Sequence, residues 1–150
     1  MKIEHATTVM LIAALAYVII DDLRHYRIKN SVVILLGLLS VARLLSQPNL
    51  NVLLGHSVFA VLGFGLLIIA YLRGLIGGGD TKLLAVAFFW TGPEAAFPYS
   101  VFLLLLTLAY WAGARFGPLP SQNVCGRLKV PFGPSIAGAW AITAIVPIAV

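Results

Sequence analysis

Apolar residues along the chain fall into six runs, each closed by charged residues or by a glycine/proline cluster. The first extends from about Ala6 to Ile20 and stops at Asp21-Asp22. The second, about Ser31 to Ser46, carries Arg43 in its last turn, where a long side chain can reach the headgroups. Gln47-Pro48-Asn49 then reads as a tight turn. The third run, Val52 to Leu72, is the longest and ends at Arg73. Thr81 to Trp90 is barely half a span before Gly92-Pro93 breaks it. The last two run from about Phe97 to Ala114 and from Pro134 to Val150. A helix needs about 20 apolar residues to cross the hydrocarbon core, with ~17 tolerated. The pattern therefore predicts an all-α integral membrane protein, a bundle of six transmembrane helices. The short fourth segment is either re-entrant or a full helix that begins further upstream. With no repeat and no linker, residues 1–150 read as a single membrane-embedded domain.

Composition agrees with the pattern. The 150 residues are 61% apolar and 10% charged, against roughly 25% charged in ordinary soluble domains. The mean hydropathy is +1.01. That excludes a soluble secreted domain, a disordered tail and a nucleic-acid binder built on a basic surface. The net charge of +5 matches the basic bias of cytoplasmic loops. If all six runs cross, Arg24, Arg27, Lys29, Arg73, Lys82, Arg115, Arg127 and Lys129 share one face, which is eight of the ten basic residues. A re-entrant fourth segment would send Arg115, Arg127 and Lys129 to the opposite side. Six spans with both termini outside the cytoplasm is the expected topology. Ala14-Leu15-Ala16 mimics a signal-peptidase site, but the apolar run continues through Tyr17-Val18-Ile19-Ile20, so a retained first helix is expected. The lone Cys125 excludes an intrachain disulfide framework and a multi-cysteine zinc site. Gly37, Gly55, Gly63, Gly65, Gly113 and Gly138 are expected to permit close helix packing.

Candidate chemistry starts from the acids. Of five acidic residues, Asp21, Asp22 and Asp80 lie on the basic side. Taken singly, each is equally well explained as a helix-end anchor or a loop salt bridge. Together they lie at similar depth and could meet. Two carboxylates that meet share a proton, so one can act as general base and the other as acid. That hydrolytic solution needs neither a metal nor a cofactor. Competing chemistries lack their residues. His5, His25 and His56 lie on different segments with no His-x-x-x-His or Glu-x-x-His spacing. His56 and Ser57 are adjacent on a helix and point apart. Gly77-Gly78-Gly79-Asp80-Thr81-Lys82 lacks the spacing of a phosphate loop. The glycine triplet could let a substrate backbone pass close, or serve as a plain hairpin between spans. Two other readings remain open: a small transporter or channel component using Asp22 and Asp80 for proton or cation transfer, and a non-catalytic membrane assembly subunit.

Three segments resemble a known family. Gly77-x-Gly79-Asp80 matches the Gly-x-Gly-Asp signature of intramembrane aspartic proteases. Asp22-Leu23-Arg24-His25-Tyr26-Arg27-Ile28-Lys29-Asn30 resembles the first aspartate motif of type IV prepilin peptidases, Asp-x-x-x-x-x-Ile-Pro-Asn, with Lys29 in place of the proline. Pro131-Phe132-Gly133-Pro134 resembles the segment that opens their last helix. The resemblance implies Asp22 and Asp80 as the catalytic pair. It implies roles in substrate approach or motif geometry for Gly77, Gly79, Ile28, Asn30, Pro131, Gly133 and Pro134. Lys82 or Arg24 could tune the carboxylates or bind substrate. The paired-cysteine domain of the long members is not present in this sequence. The chain therefore resembles the short form associated with tight-adherence (Flp-type) pili, and no N-methyltransferase activity is assigned. The resemblance implies removal of leader peptides from prepilins and pseudopilins at the cytoplasmic face of the bacterial inner membrane. The family register selects Asp22 over Asp21. Asp22 ends a helix, and if a helix starts near Asp80, the helix dipoles favour the shared proton on Asp22 and the charge on Asp80.

Overall fold

The computed structural model describes residues 2–46, 49–117, 122–124, 127–129 and 131–146. Cys125, Gln47-Pro48 and the end of the sixth run lie outside the described residues. Among the described residues six helices form the bundle: α1 (Lys2–His25), α2 (Asn30–Leu45), α3 (Leu50–Leu72), α4 (Gly78–Thr91), α5 (Ala96–Phe116) and α6 (Gly133–Ile145). A short antiparallel hairpin, β1 (Gln122–Val124) and β2 (Arg127–Lys129), lies between α5 and α6. It pairs Gln122 with Lys129 and Val124 with Arg127. The apolar pattern did not predict this hairpin, since three-residue strands are too short to leave a period.

Long and short helices alternate. α1, α3 and α5 have 24, 23 and 21 residues, whereas α2, α4 and α6 have 16, 14 and 13. Among the described residues, three helices are long and apolar enough to cross a membrane: the His5–His25 part of α1, Leu50–Leu72 and Ala96–Phe116. The short ones extend only ~20–24 Å at 1.5 Å per residue. α3 is apolar all round and buries His56 and Leu67 within the bundle. A helix without a polar face belongs in lipid.

α4 and α6 form the centre. α6 packs against α1, α5 and α4, while α4 also packs against α3 and α2. Trp140, Ile136, Leu11, Leu15, Leu36 and Leu83 are fully buried between them. Two of the expected close-packing glycines are tight: a Cβ on Gly63 would lie 2.6 Å from Phe88, and one on Gly138 would lie 3.0 Å from Leu106. Gly37, Gly55 and Gly65 have nothing within 4 Å of that position, so they do not serve this role within the chain.

α1 runs past the acidic pair, which was expected to end it. Asp21 and Asp22 are both buried, and their partners, described below, make that position tolerable. The helix closes where Tyr26 adopts a left-handed φ of 52° and donates its N–H to Asp22 O at 2.9 Å. Arg24 and His25 in the last turn suit the negative end of the helix dipole.

Candidate functional site

The end of α1 and the starts of α2, α4 and α6 meet at one end of the bundle. Ile28, in the α1–α2 loop, lies against Gly79, where a Cβ would come within 3.3 Å of it. Lys82 Nζ donates to Asn30 Oδ1 at 3.1 Å, tying α4 to α2. The Gly133 N–H donates to Asp22 Oδ2 at 3.0 Å, tying α6 to α1. Between these ties is a cavity of about 340 Å³, lined by Asp22 and Asp80 together with Ile28, Gly77, Gly79 and Pro131 among others.

Asp80 owes its place to the helix it opens. Gly77 is the N-cap of α4 with extended backbone, and Asp80 stands in the first turn. A carboxylate there faces the free N–H groups and the positive end of the dipole. Thr81 reinforces the start, with both its N–H and its Oγ1 donating to Gly77 O at 2.9 Å. A Cβ on Gly77 would lie 2.9 Å from Asp80 Oδ2. The same relation holds across the cavity, where a Cβ on Gly133 would lie 2.6 Å from Asp22 Oδ2. Each carboxylate thus sits directly against the backbone of a glycine, where a larger residue would displace it.

Asp21 takes no part in the cavity lining. Its Oδ1 lies 3.0 Å from His25 Nδ1 and 3.4 Å from Lys29 Nζ. Lys29 Nζ also donates to the Tyr17 hydroxyl at 2.7 Å. That hydroxyl first, and Asp21 second, hold the exposed Lys29 ammonium above the usual lysine range.

The remaining motif residues divide. Arg24 is exposed and does not line the cavity, and Lys82 is turned to Asn30 rather than into it. Pro134 lines a separate apolar hollow with Leu106, Ala109, Tyr110 and Ser135. Sequence reasoning missed Tyr26, Arg27 and Phe132, all of which line the cavity. Tyr26 and Arg27 lie inside the segment that begins at Asp22, so a cation next to the acids could have been read there. The proton assignment also changes. It counted only the C-terminal end of α1, but Asp22 also receives an N–H from the start of α6. A donated N–H and a positive helix end both favour the charged carboxylate. The two helix ends oppose each other at Asp22, and the dipoles no longer assign the proton to one residue.

The family model of the type IV leader peptidases matches residues 9–117, well over half of the chain. The chain belongs to that family. Comparison with curated proteins and with solved structures finds no match. The match to the leader peptidases takes in both Asp22 and Asp80 and ends at Gly117, before the hairpin and α6. The chain is therefore a peptidase of that family with long apolar helices and, among the described residues, a polar cavity lined by two acids and Arg27.

Proposed function

We propose that this leader peptidase is an aspartic endopeptidase with Asp22 and Asp80 as its catalytic pair. The observation that supports this most directly is the cavity both side chains line. With one proton between them, the ionised carboxylate takes a proton from water as its oxygen attacks the scissile carbonyl. The protonated partner gives its proton to the carbonyl oxygen, so a neutral diol forms. Collapse of the diol returns a proton to the leaving amine, breaks the C–N bond and restores the pair. Arg27, in the same lining, adds positive charge to the cavity.

The substrates are prepilins and pseudopilins of the small Flp type, each with a basic leader and one hydrophobic helix. Their helix lies beside the bundle in the membrane, presenting the leader junction to the cavity. Gly77 and Gly79, at the cavity wall, let that backbone approach. All six helices cross the bacterial inner membrane, with the cavity at the cytoplasmic face and both termini outside.

Co-expression with a candidate Flp-type prepilin tests this reading. Leader removal is followed by gel shift and amino-terminal sequencing. Asp22→Asn and Asp80→Asn should each lower cleavage by about 10²–10⁴-fold, with both variants accumulating in the membrane. Undiminished cleavage by either variant removes the dyad. Flux through liposomes without prepilin cleavage would favour the transporter reading instead.

A further inference from the structure

A second polar cluster lies at the opposite end of α4, away from the cavity. The last four carbonyls of a helix have no partner within it, and in lipid an unmet carbonyl is costly. α4 has only 14 residues, ~21 Å of rise against a hydrocarbon core of about 30 Å. Its C-terminal carbonyls therefore need partners from neighbouring helices. Phe88 O receives the Gly92 N–H at 3.0 Å. Phe89 O receives Nδ1–H of His56, on α3, at 2.9 Å. Trp90 O receives Nη1 of Arg43, on α2, at 2.9 Å. The Arg43 guanidinium also lies over the Trp90 ring, 4.6 Å from its centre.

The ring of His56 is held on its other side. Nε2 lies 3.2 Å from Glu94 Oε2, in the α4–α5 turn. A carbonyl accepts only, so Nδ1 must donate to Phe89 O. Gly92 makes room for the His56–Glu94 contact. Its φ is +64°, and a Cβ there would collide with the His56 ring and with Glu94.

We propose that Arg43 and His56 are positioning residues of the peptidase, clamping the C-terminal carbonyls of α4 and so setting the position of Asp80 at its start. This rests on the reading of Asp80 as catalytic. Packing between apolar helices in lipid has little directionality, and it permits small slides and rotations. Hydrogen bonds to successive carbonyls from two different helices do not. Asp80 and Trp90 are ten residues apart on α4, ~15 Å along its axis. The clamp therefore acts on Asp80 through the helix and does not touch the cavity.

The test uses the full chain in detergent or vesicles with a prepilin that the wild type cleaves. His56→Leu and Arg43→Leu should each lower kcat about tenfold or more, with KM for prepilin within about twofold. His56→Asn, which keeps a donor near the Nδ1 position, and Arg43→Lys should recover most of the rate. Hydrogen exchange in the 88–92 segment should rise in both leucine variants and return towards wild type in the conservative pair. A kcat unchanged in both leucine variants, or a loss confined to KM, overturns the clamp. If the wild type cleaves no prepilin, the peptidase reading itself fails. The exchange arm then judges the cluster alone, and unchanged protection in the leucine variants overturns it.

Discussion

Asp21 and Asp22 are adjacent on α1 and about 100° apart around it, and their carboxylates meet different partners. Asp21 is turned to His25 and Lys29, outside the cavity lining. Asp22 lines the cavity and accepts the N–H of Gly133. Asp21→Asn should therefore keep cleavage within about threefold of wild type, because half-exposed ion pairs of this kind contribute little. A dead Asp21→Asn beside an active Asp22→Asn, in the same gel-shift assay, would shift the catalytic register by one residue. Gly133 gives a sharper test of the α1–α6 contact. A Cβ there would lie 2.6 Å from Asp22 Oδ2, so in Gly133→Ala the carboxylate or the start of α6 must move. Overpacking of this kind costs about 1–3 kcal/mol. Borne by the transition state, that lowers kcat about five- to 150-fold. Wild-type kcat in Gly133→Ala would show that the contact does not hold Asp22 in place.

Helix centres were legible because lipid imposes one simple rule, an apolar run, whereas the ends obey local polar chemistry. The run read as Thr81 to Trp90 begins structurally at Gly78. Glycines have poor helix propensity, so the start shows only once Asp80 and Thr81 are seen serving the first turn. Asp21-Asp22 reads as a stop because acids are costly in the membrane. Here His25, Lys29 and the distant Gly133 provide partners, and α1 continues to His25. The Gly133–Asp22 bond joins residues 111 apart, and nothing in the local sequence of either residue encodes it. Gly92 is the opposite case, a visible breaker whose full role appears only in three dimensions. Gly92→Ala would force an L-residue into a positive-φ backbone with ψ of −177°, a region that is essentially glycine-only and costs about 1–3 kcal/mol, and would also drive a Cβ into His56 and Glu94. Its unfolding midpoint in detergent should fall by several degrees, and hydrogen exchange at the end of α4 should rise. An unchanged midpoint would mean that the turn relaxes without cost.

At the scale of the molecule, direction is the organising property. The starts of α2, α4 and α6 meet the end of α1 at the cavity, so successive helices alternate in direction. Charge is divided the same way. Arg24, Arg27, Lys29, Arg73, Lys82 and Arg115 stand at or near the helix ends on the cavity side, whereas Arg43 and Glu94 mark the other side. Basic loops are retained in the cytoplasm, which supports the proposed cytoplasmic cavity, and on that proposal Asn49 is expected outside. Single cysteines in a Cys125→Ser background test this directly in intact cells and inverted vesicles. Arg24 and Asn49 are exposed, so a thiol at either position can be reached without disturbing the core. An impermeant maleimide should label Asn49→Cys in intact cells and Arg24→Cys only in inverted vesicles. Arg73→Cys, between α3 and α4, should follow Arg24→Cys, because both loops carry the cavity wall. Labelling of Arg73→Cys from outside would place Asp22 and Asp80 on opposite sides of the membrane, and no shared proton could survive that separation.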